Sequence, residues 1–396
     1  MPATSRAATD APDASDAAAS LREAPLARLV IRRDGDAIAA AGVLARALRQ
    51  IDVPVQVSPT ATERQRSERV DGGDPDAATI AIGPVAGADL ALDGDDRPVS
   101  IAAAEIGREL GVEPDAELAL AGVVAAGELP ADVAPALLER AEANGLERRD
   151  GVGIATDDLV DGVAHSLASH AAFSGSTEAT ATALDGIGID GDARDAVTDD
   201  PSALADEQRR SIASLVAVAG TEGDAPEAAA DSIERVLRPH HVTGPVPTLE
   251  GYAELLSTTA IVEPGLAVAH AVGDLSVDAL ESAWRAASVA THETLGDVDP
   301  ARYDGVAVYD AGDAPSEIVA ALARDALSPE PVALAIGTDA IALACRDGDA
   351  DALVDALAEV ADGDADVTGR YAVVRDPSET TDTTETALVE AIRDAR

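Results

Sequence analysis

The segment spanning residues 29–48 places the tightest constraint on the fold. It begins as a short apolar strand, passes through Asp34 and Asp36, and continues as an alanine-rich helix. A buried strand that leads through a polar turn into a helix is the repeating unit of open α/β sheets. Such sheets place ligands and metals where a strand ends and a helix begins. We therefore expect an α/β fold with both aspartates at the carboxyl edge of its sheet.

Short β-rich runs alternate with helical periods throughout the first part of the chain. This alternation is typical of a parallel sheet with helices on both faces. The sequence predicts strands at 29–32, 53–57, 79–82 and 99–101, and helices at 38–50, 118–127 and 134–144.

The pattern changes twice more along the chain. Apolar residues recur at helical spacing over 156–240, and strands and helices then alternate again. A chain of 396 residues is long enough for two or three domains. The sequence predicts a flexible arm (1–25), an α/β domain (26–150), a helical connector (151–244), a smaller α/β domain (245–380) and a C-terminal helix or tail (381–396).

The composition indicates an acidic surface around a folded hydrophobic core. The chain has 74 acidic and 28 basic residues, a formal charge of −46, and no lysine. Apolar residues make up 46% of the chain and are patterned, which argues against disorder. This composition resembles that of proteins from salt-accumulating halophilic archaea, where the Debye length at molar salt is only about 3 Å. The acids are spread along the chain, so we interpret them as solvated surface and not as a partner-binding tail.

Cysteine usage and hydropathy exclude several classes of protein. Cys345 is the single cysteine, which excludes a disulfide framework and a cysteine-based zinc site, and we expect it to be inert core. No run reaches the roughly 18 apolar residues of a membrane span. The first residues lack a signal-peptide pattern. The sequence predicts a soluble, cytoplasmic protein with no membrane contact.

The turn at 32–37 resembles motif I of the DHH phosphoesterases, the superfamily of the RecJ single-strand exonucleases. That motif reads His-x-Asp-x-Asp-Gly before a small-residue helix. Asp34 and Asp36 match its two aspartates, while Arg32 stands at the histidine position and Ala37 at the glycine position. We identify the chain as a haloarchaeal RecJ-like protein with degenerate catalytic motifs.

Later segments extend this resemblance over most of the chain beyond residue 26. Residues 157–173 are similar to the helical connector of archaeal RecJ-like proteins, and 252–274 to the segment that opens their C-terminal domain. Residues 332–346 and 366–370 resemble the DHHA1 substrate-binding domain with its terminal Gly-Gly-His loop. The resemblance implies an N-terminal DHH-type parallel-sheet domain, a helical connector and a smaller C-terminal DHHA1-type α/β domain.

The same resemblance implies a phosphodiester hydrolase with two Mn²⁺ or Mg²⁺ ions, but the expected ligands are missing. Two-metal hydrolysis needs several converging carboxylates and histidines. Here Gly83 stands at one aspartate position and Ala125 or Ala126 at another. The Asp-His-His triplet is replaced by alanines at 102–104, and the terminal loop reads Thr-Gly-Arg at 368–370. The resemblance therefore implies a family member whose metal centre is mostly lost.

The remaining candidate residues have two interpretations each. Asp34 and Asp36 either keep only N-cap and turn roles or form a residual cation site. By resemblance Arg346, Gly369 and Arg370 face a nucleic-acid strand, which arginine can bind through phosphate. Arg370 alternatively pairs with a local acid among Asp362, Asp364 and Asp366.

The histidines give weaker evidence of a functional role. His240 and His241 are adjacent on an interdomain turn, where we expect linker surface. His165 and His170 are five residues apart, and we expect partly buried connector residues.

Three functions follow from these observations. The leading hypothesis is a non-catalytic DNA replication or repair factor that binds nucleic acid or replisome proteins. In this respect the chain resembles the eukaryotic DHH-derived subunit of the replicative helicase, which kept the fold while its metal centre was lost. The second is an active Mn- or Mg-dependent single-strand exonuclease or oligonucleotide phosphoesterase. The third is simple single-strand binding in the cleft between the two α/β domains.

Overall fold

The computed structural model has two main β-sheets, each flanked by helices. It describes residues 14–94, 97–194, 204–222, 225–242, 244, 246–297, 299–346, 350–368, 371–377 and 385–396. The first sheet has four strands and the second has six. The predicted α/β class, with a parallel sheet and a smaller C-terminal sheet domain, is confirmed.

The first sheet is parallel throughout, in the order β2-β1-β3-β4. Parallel strands need crossover connections, and α2 and α3 supply two of them. The strands are β1 (Ala27–Arg32), β2 (Val55–Thr60), β3 (Ala78–Ile82) and β4 (Leu90–Leu92). The helices of this region are α1 (Ala14–Glu23), α2 (Gly35–Gln50), α3 (Glu63–Asp71), α4 (Val99–Glu109), α5 (Ala116–Ala125), α6 (Pro130–Val133) and α7 (Pro135–Ala143).

Helix α2 is the centre of the first core. Nearly every residue of α2 is buried, because it packs against α4 and α5 as well as the sheet. Small residues permit this close packing: a Cβ on Gly42 would lie 2.6 Å from the carbonyl oxygen of Ala271, and one on Gly122 would lie 2.6 Å from Ser100. The alanine-rich sequence of this helix is therefore a packing requirement.

Two sequence predictions for this region are wrong. Residues 99–101 begin α4 and are not a strand, because Asp36 accepts the N–H groups of Val99 and Ser100 and so caps a helix there. Within the predicted arm 1–25, residues 14–23 form α1, whose apolar face, including Leu21, is buried against the first core. Residues 1–13 lie outside the described residues.

Helices and one short strand pair connect the two main sheets. The pair is antiparallel, formed by β5 (Glu147–Arg148) and β6 (His240–His241). The helices are α8 (Leu159–Ala164), α9 (Thr177–Gly186), α10 (Asp206–Ala219), α11 (Glu227–Val236), α12 (Leu249–Val262), α13 (Pro264–Ala271) and α14 (Asp278–Asp297). Residues of α12, α13 and α14 join the first core, with Trp284 fully buried. No helix in the described ranges is long and apolar enough to cross a membrane.

The second sheet is mixed, in the order β11-β12-β10-β9-β8-β7. Only β8 and β9 pair in parallel, and the other neighbours are antiparallel. The strands are β7 (Ala301–Tyr303), β8 (Val306–Gly312), β9 (Val332–Gly337), β10 (Ala340–Cys345), β11 (Asp364–Val367) and β12 (Ala372–Arg375). Helix α15 (Ser316–Leu322) continues as a π-helical turn (Ala323–Leu327), and α16 (Ala350–Ala361) and α17 (Glu385–Ala395) follow. Both faces of the sheet are buried, since a separate apolar cluster lies on each.

Candidate functional site

The end of β1 carries the first aspartate of the predicted site. Asp34 has extended backbone angles and is the N-cap of α2, because its Oδ1 accepts the N–H of Ala37 at 2.9 Å. Its second carboxylate oxygen accepts the Nε–H of Arg32 in an ion pair. Both oxygens of Asp34 are thus engaged within this one turn.

The second aspartate caps a different helix. Asp36 is only 3% exposed, and its two oxygens accept the N–H of Val99 at 2.7 Å and the N–H of Ser100 at 3.0 Å. These are the first two residues of α4, whose N–H groups have no partner inside the helix. Burial, followed by the charge of Asp34, raises the pKa of Asp36 to about 6. Asp36 therefore connects the start of α2 to the start of α4.

Arg32 lies among these carboxylates. Its side chain is 13% exposed and pairs with Asp34. Burial lowers the pKa of Arg32, but Asp34, Asp36 and Asp366 outweigh that effect and raise it above the usual value. The arginine stem packs on Gly83, where a Cβ would lie 3.1 Å from the Arg32 Cδ. A buried guanidinium is thus the counter-charge of this acidic cluster, which comprises Asp34, Asp36 and Asp366.

The positions at which metal ligands were expected surround this cluster. Gly83 follows β3 and contacts Arg32. Residues 102–104 lie within α4 and not at a strand end. Ala125 is the last residue of α5, and a Cβ placed on Gly35 would lie 2.7 Å from the Ala125 Cβ. No group of three or more histidines, cysteines or acids that could hold a metal ion occurs among the described residues.

Two ion pairs join the two sheets beside this cluster. Arg66 of α3 is fully buried and donates to both carboxylate oxygens of Asp366, on the edge strand β11, at 2.9 and 3.3 Å. Arg64, two residues earlier, pairs with Asp364, two residues before Asp366. Burial raises the pKa of Asp366 despite its pairing with Arg66. Since α3 packs directly on β11, the cleft between the sheets is closed along this side.

The predicted nucleic-acid residues lie in two different settings. The guanidinium of Arg346 donates to the backbone carbonyl oxygens of Arg324 and Ser328, so much of its donor capacity is used inside the chain. Gly369 and Arg370 lie outside the described residues. Two of the acids considered as partners of Arg370, Asp364 and Asp366, pair with arginines of α3 instead.

A cavity of about 190 Å³ opens next to the start of α2. Its wall includes Ala125 of α5, Ser257 of α12, Ile318 of α15 and Tyr371, so helices from both sheet regions and from the connecting region contribute. Gly35 contacts this wall, because a Cβ there would lie 2.5 Å from the Ser257 hydroxyl. Tyr371 is buried and its hydroxyl donates to the backbone oxygen of Arg33 at 3.3 Å.

A curated relative decides the family. The chain is 40% identical over 399 residues to the uncharacterized protein rrnAC1427 of Haloarcula marismortui, with 100% of both chains covered. The chain belongs to the rrnAC1427 family. The C-terminal domain described for rrnAC1427 also matches residues 298–394 of this chain, which include the whole second sheet.

Solved structures show which fold this rrnAC1427 family member has. It is similar to CDC45 from Entamoeba histolytica, with a TM-score of 0.62, 9% identity and coverage of 96% of this chain and 98% of that chain. It is also similar to RecJ in complex with Mn²⁺ from Thermus thermophilus, with a TM-score of 0.51, 13% identity and coverage of 98% of this chain and 56% of that chain. The fold is therefore RecJ-like.

The histidines of this family member are engaged in the connecting region. His240 is 8% exposed, so the expected linker surface is wrong; its Nδ1 lies 2.9 Å from Glu250. Burial, followed by nearby arginines, lowers the pKa of His241 to about 4. His165 is buried and His170 partly buried, as expected, and the Nδ1 atoms of His170 and His292 lie 3.0 Å apart. The partner of His170 comes from α14, which local spacing does not reveal.

Proposed function

We propose that this protein is a non-catalytic member of the RecJ-like fold, acting as a DNA replication or repair factor that binds nucleic acid or replisome proteins. The observation that carries the proposal is the position of Arg32 among Asp34, Asp36 and Asp366. A guanidinium supplies the positive charge that these carboxylates need. It cannot bind a water molecule and convert it into a hydroxide nucleophile as a metal ion does.

The capping contacts of the two aspartates support the same proposal. Both oxygens of Asp36 accept backbone N–H groups, so a divalent cation at this carboxylate would compete for its charge with the cap at Val99 and Ser100. Asp34 is likewise occupied by Ala37 and Arg32. A metal ion here would compete with an existing partner at each ligand oxygen, and the residual metal role of both aspartates stays a prediction.

The ion pairs between the sheets favour a scaffold over an enzyme that threads a strand. Arg66 and Asp366 are both buried, so opening the cleft on their side would expose two charges that now satisfy one another. The similarity to the CDC45 structure spans nearly the whole of both chains. We propose that partners bind the outer surfaces of a closed molecule, that its domains beyond residue 25 are those predicted from the sequence, and that it works in the cytoplasm.

A digestion assay tests this proposal against the alternative of an active Mn- or Mg-dependent exonuclease or oligonucleotide phosphoesterase. Labelled single-stranded DNA and RNA are incubated with the full chain and MnCl₂ or MgCl₂ in molar KCl. We expect no metal-dependent cleavage. The matched control is Asp34→Ala/Asp36→Ala, which removes the candidate ligands. Cleavage by the wild type that this control abolishes would establish the exonuclease and overturn the non-catalytic assignment.

A further inference from the structure

A small cavity lies among the connecting helices, which we call the connector pocket. Its volume is about 50 Å³, and the segment 151–157, α8, α10 and β6 surround it. A water molecule needs about 10–15 Å³ of such space, so the pocket takes a ligand of only a few non-hydrogen atoms. Most of its wall is apolar, formed by Val152, Ile154, Leu159, Leu204, Ile212 and Pro247.

Two nitrogen-bearing side chains, Arg209 and His241, interrupt this apolar wall. The Nε of Arg209 and the Nε2 of His241 are buried, and neither has a hydrogen-bond partner among the residues that the structure describes. Buried polar atoms almost always find a partner. Two such atoms, on residues that line one small pocket, indicate a ligand with acceptor atoms.

The rest of the Arg209 guanidinium is already fixed within α10 and the residues before it. Nη1 donates to the backbone oxygen of Leu204, and Nη2 pairs with Asp206 at 2.6 Å. The side chain is 14% exposed, and a Cβ on Gly151 would lie 3.8 Å from its Cδ. An arginine held in this way can bind an acceptor without first losing side-chain freedom.

The charges around the pocket favour an anion. Arg209 is positive, and burial, followed by Arg149 and Arg209, lowers the pKa of His241 to about 4. The imidazole is therefore neutral at neutral pH, and its Nε2 can carry the proton and donate. Asp157 also lines the pocket, but it is exposed and water screens its charge.

The apolar wall favours an anion with a carbon chain. An inorganic anion would exchange its hydration shell mainly for apolar side chains, which cannot replace those hydrogen bonds. A short chain would instead bury its carbons against Leu159 and Ile212.

We propose that the connector pocket binds a short aliphatic monocarboxylate, whose carboxylate accepts from the Arg209 Nε and the His241 Nε2. A carboxylate has two acceptor oxygens, enough for both donors. Among the described residues, none that lines the pocket belongs to the acidic cluster of Asp34, Asp36 and Asp366. The site therefore goes beyond the proposed function and does not depend on it.

A ligand-observed NMR titration tests the site with the full chain in molar KCl. The ligand is propionate, and 1-propanol is the chemical control because it has the same chain length and no charge. His241→Phe keeps an aromatic ring and removes both nitrogens, and Arg209→Lys keeps the charge and removes the Nε–H. The matched control is Arg210→Lys, since Arg210 is the next residue on α10, pairs with Asp150 and does not line the pocket.

We expect the wild type and Arg210→Lys to bind propionate saturably and more tightly than 1-propanol. His241→Phe and Arg209→Lys should each bind propionate about tenfold more weakly, as the loss of a hydrogen bond to a charged group implies. Acetate should bind the wild type about threefold more weakly than propionate, because it buries one methylene fewer.

Three results would overturn the site. The first is no saturable binding of propionate by the wild type, which would mean that the pocket holds water alone. The second is equal binding of propionate and 1-propanol, a comparison that needs no variant to fold. The third is unchanged affinity in both variants, whose melting temperatures show that they are folded. None of these results affects the digestion assay, since it concerns different residues.

Discussion

Arg32 and Arg33 are consecutive, yet they lie in opposite electrostatic surroundings. Arg32 has three aspartates around it and pairs with one of them. Burial, followed by the charge of Arg375, lowers the pKa of Arg33, whose side chain has no hydrogen-bond or ion-pair partner among the residues described. Consecutive side chains near a strand end point to opposite sides, so one turn serves both regions. One of these charges is paired within the fold, and the other is not.

The largest effect is expected from removing the first of these charges. Arg32→Ala leaves Asp34 and Asp36 without their cation, and we expect a loss of about 3–5 kcal/mol in the free energy of unfolding. Denaturant unfolding in molar KCl measures it. Arg69→Ala, which removes an exposed arginine from α3, should change stability by no more than about 0.5 kcal/mol.

Binding of a divalent cation tests whether Arg32→Ala leaves carboxylates without a counter-charge. Mn²⁺ should raise the melting temperature of this variant and leave that of the wild type unchanged, because only the variant has uncompensated carboxylates. If Arg32→Ala proves as stable as Arg69→Ala, the guanidinium is not the counter-charge of the cluster and the contrast with Arg33 fails.

A pH titration of stability should give the next largest effect. The pKa of folded Asp36 is about 6, whereas an unfolded aspartate has a pKa of about 3.9. The folded state therefore holds the proton at higher pH than the unfolded state does. This contribution stabilises the protein below about pH 4 and is lost as the pH rises to about 6, a change of about 3 kcal/mol.

The Asp36→Asn variant isolates that contribution. Its stability relative to wild type should rise between pH 4 and pH 6 and stay level above, as measured by urea unfolding at each pH. A difference that is flat across this window would mean that Asp36 is not the titrating group.

The smallest effect is expected at Arg33. Arg33→Gln should leave the free energy of unfolding within about 0.5 kcal/mol of wild type or raise it, because the change removes repulsion from Arg375 and breaks no contact. The same unfolding measurement applies as for Arg32→Ala. A loss comparable to that of Arg32→Ala would show that Arg33 has a structural partner, and the contrast between the two arginines would disappear.

Local patterns predicted much of the fold. The first three parallel strands and α2 follow from apolar runs and small-residue periodicity, and Asp34 follows from N-cap chemistry. The strand predicted at 99–101 was wrong, since its helix depends on a capping contact with Asp36, more than sixty residues earlier. Strand β11 escaped prediction because two of its four residues are aspartates.

The sequence predicted only the part of the candidate site that lies within one short segment. Asp34 and Asp36 stand out by spacing alone. The role of Arg32 depends on Asp366, and Arg375 pairs with Glu317, in each case across a long stretch of sequence. Charge pairing across such separations leaves no periodic trace in a single sequence.

The pair of Arg66 and Asp366 has a consequence for the order of folding. Its two residues are separated by 300 positions, and Arg66 is fully buried in the finished structure. During synthesis Asp366 emerges long after the first sheet, and until then the Arg66 guanidinium has the Pro84 carbonyl oxygen and the Thr60 hydroxyl as acceptors but no counter-charge. The charge of Arg66 is therefore neutralised late, and a chain interrupted before β11 would hold this guanidinium against the first sheet without its carboxylate.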